Sequence, residues 1–234
     1  MSNKFDGRRA RGARTRSRII KSYLALLRAH ESPPTNMQLA DMAKCALRTL
    51  YFQFPTSAQL CEAAVGYVRD SETPFTSVSG KLVRRILNYS RWCAESWEEW
   101  LPLQLLVAQP TKASMMIRSE LERQHRLKSI MLTSALRPEL SAIPQPRRDA
   151  MLLMIETSTS LDSWARLRRT HGLSMRSGAK IFSQTTMSIV SFELRGLSSG
   201  KNPSRRGAKE SLILASSTHA SPTLGGADVD TFAR

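Results

Sequence analysis

The residue types best suited to chemistry lie in one short run, LRTLYFQF, at positions 47–54 and directly before Pro55. If this run is helical, Leu50 and Phe54 lie one turn apart on a face that we expect to be buried. The remaining side chains then point outward, and they are Arg48, Thr49, Tyr51, Phe52 and Gln53. Arg and Gln can form paired hydrogen bonds with base edges in a DNA major groove, while Thr and aromatic groups can meet thymine methyls or phosphates. The pattern is typical of a helix that contacts DNA.

Neighbouring helices are predicted to support the helix over residues 47–54 so that its outward-pointing side chains face solvent. Thr35 and Gln38 have the spacing of a capping box, so a short helix can begin there with its first amides satisfied. Pro55 ends the helix over residues 47–54, because a residue before proline is pushed out of helical geometry. Apolar stripes at helical spacing predict two longer flanking helices, over residues 16–30 and 57–69.

This arrangement resembles the helix-turn-helix of the TetR (tetracycline-repressor) family of transcriptional regulators. The segment LRTLYFQFP at 47–55 is similar to that family's x-x-T-L-Y-x-H-F-P, and the resemblance is specific over about residues 14–68. A second phrase, at 161–174, resembles the joint before the last helix in many members. The chain departs from the family pattern at Lys44 in the turn, Ala46 at the helix start, Gln53 and Ser57.

The resemblance implies an all-α homodimer that binds double-stranded DNA at a palindromic operator, with two recognition helices about one duplex turn apart. It implies a repressor that is released by a small apolar or aromatic effector. The implied domains are a basic flexible arm over residues 1–15, a helix-turn-helix domain over 16–70, a helical regulatory and dimerisation domain over 75–197, and a disordered tail over 198–234. We expect DNA contacts from Lys44, Leu47, Arg48, Thr49, Tyr51, Phe52, Gln53, Arg14 and Arg16, and direct base readout from Arg48.

Charge and composition limit the partners and the compartment. Thirty-five Lys and Arg residues against 19 Asp and Glu residues give a net charge of +16, which predicts either nucleic acid or an anionic membrane as partner. The neighbouring motif favours nucleic acid. Cys45, Cys61 and Cys93 lack CxxC spacing, which argues for a reducing compartment. Without an apolar run of about 18 residues or a secretory leader, a cytoplasmic protein with no membrane span is expected.

The first 18 residues carry seven cations against the single acid Asp6, and Gly7 and Gly12 predict a loose chain. Two interpretations are open: a solubilising tail, or an arm that follows phosphates or enters a minor groove.

After a break at residues 71–74, the pattern is helical without a strand signal. Helices are predicted over residues 78–97, 98–107, 112–136, 147–171 and 174–197, with a proline-containing loop over 137–146. Gly172 is expected at a helix C-cap. Residues 196–234 are rich in Ser, Gly, Thr and Ala and are predicted to be disordered.

Large flat or soft side chains in these helices suggest a ligand pocket, lined by Trp92, Trp97, Trp100, Met115, Met131, Met151 and Met154, with Trp164 as a further candidate. The alternative is that they simply fill the core. A dimer interface is suggested by apolar stripes on the last two helices, at Trp164, Phe182, Ile189 and Phe192. Here too the alternative is the core of one chain.

Catalytic and cofactor motifs are missing from the sequence. It contains no P-loop, GxGxxG, HExxH or GxSxG pattern, and its four histidines are scattered, so no enzyme, metal site or cofactor is expected. Two alternatives to a specific regulator remain. One is a nonspecific basic or architectural DNA-binding protein, and the other is a helical adapter that no longer binds DNA.

Overall fold

The structure is a computed structural model that describes residues 3–30, 32–76, 79–107 and 111–198. Its helices are α1 (Asn3–Ala29), α2 (Asn36–Met42), α3 (Leu47–Gln53), α4 (Ser57–Ser71), α5 (Leu82–Gln104), α6 (Lys112–Ala135), α7 (Arg137–Leu140), α8 (Gln145–Ser158), α9 (Leu161–Ala165), a π-helical turn (Arg166–Thr170) and α10 (Met175–Ser198). No strand occurs in these ranges, which confirms the predicted all-α class. None of the helices described is long and apolar enough to cross a membrane.

The chain divides into two units, one that ends at Leu194 and one that begins at Arg195. Of the second unit the structure describes only the last turn of α10, so the packing reported below belongs to the first unit. The predicted disordered tail lies outside the described residues, except for Ser198, which ends α10.

The first four helices pack around a small apolar core. The helix α1 contacts α2, α4 and α5, and α2 contacts α3. The buried side chains include Ile19, Leu27, Leu39, Leu50, Phe54 and Val68. The predicted capping box is confirmed, because the Thr35 side chain accepts from the Gln38 amide and the Gln38 side chain accepts from the Thr35 amide.

The predicted loose arm is wrong for its described part, because α1 runs unbroken from Asn3 to Ala29. Alanines and arginines between Arg8 and Arg18 are good helix formers, and they outweigh two glycines that each cost about 1 kcal/mol. A Cβ added at Gly7 or Gly12 would meet no atom within 4 Å, so both glycines lie on open parts of the helix.

Among the helices that follow α4, α5 is the central one. It packs against α1, α4, α6 and α9, and its side chains Trp97, Trp100 and Leu103 are fully buried. The predicted break between residues 97 and 98 does not occur, although Pro102 lies within the helix. Proline cannot donate to the carbonyl four residues earlier. That carbonyl, of Glu98, instead accepts from the Arg28 guanidinium at 3.4 Å.

Two further predictions of helix boundaries are corrected. The expected loop at 137–146 contains α7 and the start of α8, because Pro138 and Pro146 occupy first-turn positions, where proline is tolerated. The expected helix over 147–171 is broken after Ser158, where Ser160 caps a new helix by accepting from the Ser163 amide at 3.2 Å. Gly172 has φ +60°, the left-handed conformation expected where a helix ends.

Candidate nucleic-acid interface

The turn between α2 and α3 depends on a left-handed residue. Lys44 has φ +48°, and it is the only non-glycine residue with positive φ in the described part of the chain. The Lys44 amide donates to Asp41 O at 3.1 Å and the Cys45 amide donates to Ala40 O at 3.0 Å, which closes the end of α2. A side chain in this conformation costs about 1 kcal/mol or more, since Cβ approaches the following carbonyl.

The start of α3 has no side-chain cap. Ala46 takes the extended N-cap conformation, but its side chain has no oxygen that could accept a hydrogen bond from the first-turn amides. By contrast, Thr35 caps α2 and Thr56 caps α4. Since α3 has seven residues, it is too short to persist alone. Its position therefore depends on the burial of Leu50 and Phe54, which are 2% and 3% exposed.

The end of α3 is held by α1. The Arg16 Nη1 donates to the backbone oxygen of Gln53 at 2.7 Å, and the Arg16 guanidinium lies 4.1 Å from the centroid of the Phe54 ring. A cation at a helix C-terminus also interacts favourably with the helix dipole. Arg16 was expected to contact DNA; in the structure it supports α3 from behind.

The opposite side of α3 is open. Phe52 is 82% exposed and Tyr51 is 50% exposed, and Leu47 and Arg48 are also exposed. We call these four residues the outer face of α3. Thr49 and Gln53 are half-buried at its borders, and Lys44 is exposed in the turn. All the residues predicted for α3 thus lie on one helix, with none of them fully buried.

A contact that sequence reasoning missed orients Tyr51. The Asn36 Nδ2 donates to the Tyr51 Oη at 3.1 Å and so joins the first turn of α2 to α3. The capping box at Thr35 places Asn36 at the first helical position, but no local pattern connects residues 15 positions apart. Met37 and Met42, also on α2, are 64% and 47% exposed and were not predicted to be accessible.

Basic residues of α1 add exposed positive charge to the group formed by α1–α4. Arg9, Arg11, Arg14, Arg18 and Lys21 are all exposed. Because they lie on a helix that spans about 1.5 Å per residue, their spacing is fixed by the backbone. At about 100° per residue Arg11, Arg14, Arg18 and Lys21 lie on one side of α1, and Arg9 lies on the opposite side. A row of four cations on one side suits contacts with successive phosphates.

The seven residues predicted to line a ligand pocket do not share one cavity. Trp97, Trp100 and Met151 are fully buried in the core, whereas Met115 and Met154 are 63% and 45% exposed on different helices. Helical periodicity alone cannot show which of these side chains are buried and which are exposed, because burial depends on which helix packs against which face. Only the remaining two, Trp92 and Met131, line the same cavity.

This cavity has a volume of about 430 Å³ and lies where α4 leads into α5 and α6, and we call it the α4–α6 cavity. Its lining residues are Arg69, Glu72, Thr73, Pro74, Phe75, Trp92, Ser96, Arg123, Leu127 and Met131. The Phe75 and Trp92 rings lie 5.2 Å apart. The segment after α4 is anchored here, because Glu72 accepts from the Trp100 indole at 2.5 Å and Thr73 O accepts from the Trp92 indole at 2.8 Å.

A buried lysine lies beside this cavity. The Lys128 ammonium group lies 3.8 Å from the centroid of the nearer Trp97 ring and 5.0 Å from that of Trp92, and it donates to Ser96 Oγ at 2.8 Å and Gln124 Oε1 at 3.2 Å. Burial lowers the pKa of Lys128 to about 8. Aromatic faces and neutral oxygens therefore hold this cation in place of a carboxylate.

Two of the four residues predicted for a dimer interface belong to the core of one chain. Trp164 and Phe182 are 0% and 1% exposed, and their rings lie 5.3 Å apart. The indole lies directly beneath Gly178, where an added Cβ would be 2.6 Å from a ring carbon of Trp164. Ile189 is half-buried, and only Phe192, at 67% exposure, is fully available to a second copy.

An apolar exposed surface nevertheless exists on the last helices. Leu153 and Met154 on α8 and Ile181 and Phe192 on α10 are exposed large hydrophobic side chains, and we call them the α8–α10 stripe. No charged residue interrupts positions 150–155 of α8 or 181–192 of α10. The two helices are joined at one end by an ion pair of 2.6 Å between Arg147 and Glu193.

No protein-family model matches this chain, and no curated protein is significantly similar to it. The described residues also contain no group of three or more His, Cys, Asp or Glu side chains that could hold a metal ion.

Proposed function

We propose that this protein is a sequence-specific, TetR-like DNA-binding transcriptional regulator that places α3 in the major groove. The observation that carries the proposal is the outer face of α3, where Arg48, Tyr51 and Phe52 are exposed while Leu50 and Phe54 anchor the helix from behind. A short helix with an arginine and aromatic groups on its free side suits readout of base edges.

Positive charge supports the same proposal. The chain carries a net charge of +16, and exposed arginines continue along α1 beyond the part that packs on α2 and α4. In this proposal α1 contacts phosphates and fixes the register, and α3 distinguishes sequences. The missing cap at Ala46 and the strained Lys44 lower the stability of α3 without removing its exposed groups.

The direct test is selection of bound fragments from a random duplex library, followed by gel-shift titration of the enriched sequence against a scrambled duplex. A specific regulator should prefer the enriched site by about a thousandfold or more. Equal affinity for scrambled DNA would favour the nonspecific architectural protein, and no retardation of any duplex would favour the helical adapter.

We propose that the active form is a homodimer in which α8 and α10 meet their copies in a four-helix interface. The α8–α10 stripe supports this, since Phe192 and Leu153 expose most of their surface within the segments 181–192 and 150–155, which carry no charged residue. Such a dimer would bind a palindromic operator with half-sites about one duplex turn apart.

Analytical ultracentrifugation tests the dimer. Phe192→Glu should convert the dimer to a monomer, because two carboxylates would be desolvated in the interface. Met115→Glu is a matched control, since Met115 is similarly exposed, at 63%, but lies on α6. A wild-type monomer at micromolar concentration, or equal effects of both substitutions, would contradict the proposed interface.

We propose further that the protein is a repressor and that a small aromatic effector binds in the α4–α6 cavity. Occupation of this cavity would bias α4, which leads directly from α3 into the cavity wall. The effector can release DNA only if it binds the DNA-free conformation more tightly than the bound one.

A thermal-shift screen of aromatic compounds, repeated on Met131→Trp to fill the cavity and on Met154→Trp as control, tests this site. Hits that persist in Met131→Trp, or that leave DNA affinity unchanged, would count against it.

A further inference from the structure

A cavity larger than the α4–α6 cavity lies elsewhere, in a groove between α5 and α10 with a volume of about 620 Å³. Its lining residues are Leu87, Arg91, Ala94, Glu95, Met175, Arg176, Ser177, Ala179, Lys180 and Ser183. We call it the α5–α10 groove. None of these residues belongs to the outer face of α3, the α4–α6 cavity or the α8–α10 stripe.

The floor of the groove is made of small side chains. Ala94 is 1% exposed, Ser183 is 7% exposed and Ala179 is half-buried. Leu87 and Met175 form apolar rims and remain 48% and 42% exposed. The volume falls within the range of about 300–1,000 Å³ that is usual for small-molecule sites.

The walls of the groove carry an excess of positive charge. Three cations line it against one acid, so the groove has a net charge of about +2 at neutral pH. Among the described residues, the side chains of Arg91, Arg176 and Lys180 have no hydrogen-bond or ion-pair partner. Three other arginines of the same helices and their neighbours are paired, namely Arg85 with Glu139, Arg147 with Glu193 and Arg168 with Glu98.

We infer that the α5–α10 groove binds a small anionic amphiphile, with its carboxylate or phosphate head on Arg91, Arg176 and Lys180 and its apolar part over Leu87, Ala94 and Met175. Arginine and lysine form their strongest hydrogen bonds with carboxylate and phosphate oxygens. An apolar chain along the floor would remove the exposed surface of the two rims from water. The charge excess excludes a cationic amphiphile as the preferred ligand.

The groove is separate from the proposed DNA-binding surface, because it uses other helices than α3. On α10 it uses positions 176, 179, 180 and 183, which lie on a different side from Ile181 and Phe192 at about 100° per residue. A second copy of the chain on the α8–α10 stripe would therefore leave this part of α10 open.

Isothermal titration calorimetry on the full chain tests the inference, with dodecanoate and dodecyl phosphate as probes below their micelle concentrations. Dodecyltrimethylammonium and dodecanol have the same chain with a cationic or neutral head. The expected result is one site per chain for either anionic probe, with binding at least about tenfold weaker for the other two, as loss of a charge-assisted contact implies. The ratio between the two anionic probes then distinguishes a carboxylate from a phosphate head.

Three variants locate the site. Combined Arg91→Gln and Lys180→Gln should weaken dodecanoate binding by at least about tenfold. Arg126→Gln removes the same kind of charge from the exposed face of α6 and should leave binding unchanged. Ala179→Leu keeps every charge, fills the floor and should also weaken binding. A melting curve for each variant shows that the fold is retained.

Several outcomes would overturn the inference. They are no binding of either anionic probe, equal binding of dodecyltrimethylammonium, or equal weakening by Arg126→Gln. Adsorption to anionic vesicles without binding of the monomeric probes would also overturn it, because it would indicate a membrane surface rather than a small-molecule groove. None of these outcomes depends on whether α3 binds DNA, so each proposal can fail alone.

Discussion

The Arg16 guanidinium donates to the backbone oxygen of Gln53 at 2.7 Å, and this bond joins the first long helix to the last residue of α3. The same group lies 4.1 Å from the centroid of the Phe54 ring. A residue 37 positions earlier in the chain thus sets the end of the helix that we propose reads DNA. The residues that position α3 therefore differ from the residues that we propose contact DNA bases.

Arg16→Ala should lower the free energy of unfolding by about 1 kcal/mol, because it removes one hydrogen bond and one exposed cation–π contact. DNA affinity should fall by a similar factor on every sequence, because the substitution removes support from α3 but removes no contact with a base. Urea denaturation gives the first quantity and gel shifts give the second. Arg14→Ala is the control, since Arg14 is exposed and should change stability by less than about 0.5 kcal/mol. Equal stability losses in both variants would contradict the supporting role.

Arg48→Ala should leave stability nearly unchanged, because the side chain is exposed on the outer face of α3. Its DNA affinity should fall by about 1–3 kcal/mol on the selected site, with relaxed preference at one position in each half-site. Gel-shift titration against a panel of single-base variants measures both effects. A uniform loss on all sequences would instead place Arg48 on the phosphate backbone.

Lys44→Gly should stabilise the protein by about 1 kcal/mol, because glycine adopts the observed φ of +48° without the steric cost that a Cβ imposes. Lys44→Ala keeps the Cβ and should give no such gain, while it removes the same charge. Thermal melting of the wild type, Lys44→Gly and Lys44→Ala measures these differences in stability. A gain in both variants would mean that removal of the charge, and not relief of the backbone, is responsible.

Gly178→Ala should destabilise the protein by about 1–3 kcal/mol, because its Cβ would lie 2.6 Å from a ring carbon of Trp164 and overpack the core. Gly66→Ala is a matched control, also within a helix but with nothing within 4 Å of the new Cβ. It should stabilise the protein by about 0.5–1 kcal/mol, as alanine favours a helix over glycine. The opposite order in chemical denaturation would be inconsistent with the packing of α10 on Trp164.

The lowered pKa of Lys128 predicts a pH dependence of stability. Burial lowers this pKa from 10.5 to about 8, so between these values the unfolded chain binds more protons than the folded protein. The contribution of Lys128 to the free energy of unfolding therefore rises as pH increases from about 8 to 10.5. Burial also raises the pKa of Cys93 to about 11, from 9.0, which lowers stability over an overlapping range.

Cys93→Ala is the reference protein for this test, because Lys128 and Cys93 shift each other's pKa. The stability of Cys93→Ala relative to the double variant Cys93→Ala and Lys128→Met, measured in urea at several pH values, should increase through that window. A difference that is independent of pH would show that Lys128 titrates normally in the folded protein.

Local patterns predicted α2, α3 and α4 closely, because their determinants lie within a few residues of one another. The capping box at Thr35, the stop at Pro55 and the one-turn spacing of Leu50 and Phe54 each act within one or two turns. Prediction failed where local preferences compete, as in the helical start of α1 and the break after Ser158. The proposed DNA contacts stay a prediction.

By itself, the sequence determined the all-α class, because helical patterns recur along the chain without a strand signal. It also determined that a short helix ends before Pro55 and exposes Arg48, Tyr51 and Phe52, because both features follow from spacing within that helix. Only the tertiary structure decided which large side chains fill the core and which line a cavity. Trp97 and Met115 are both large apolar residues in the sequence, yet one is fully buried and the other is exposed. The difference arises because burial depends on which helices meet, and those contacts join residues that are distant in the chain.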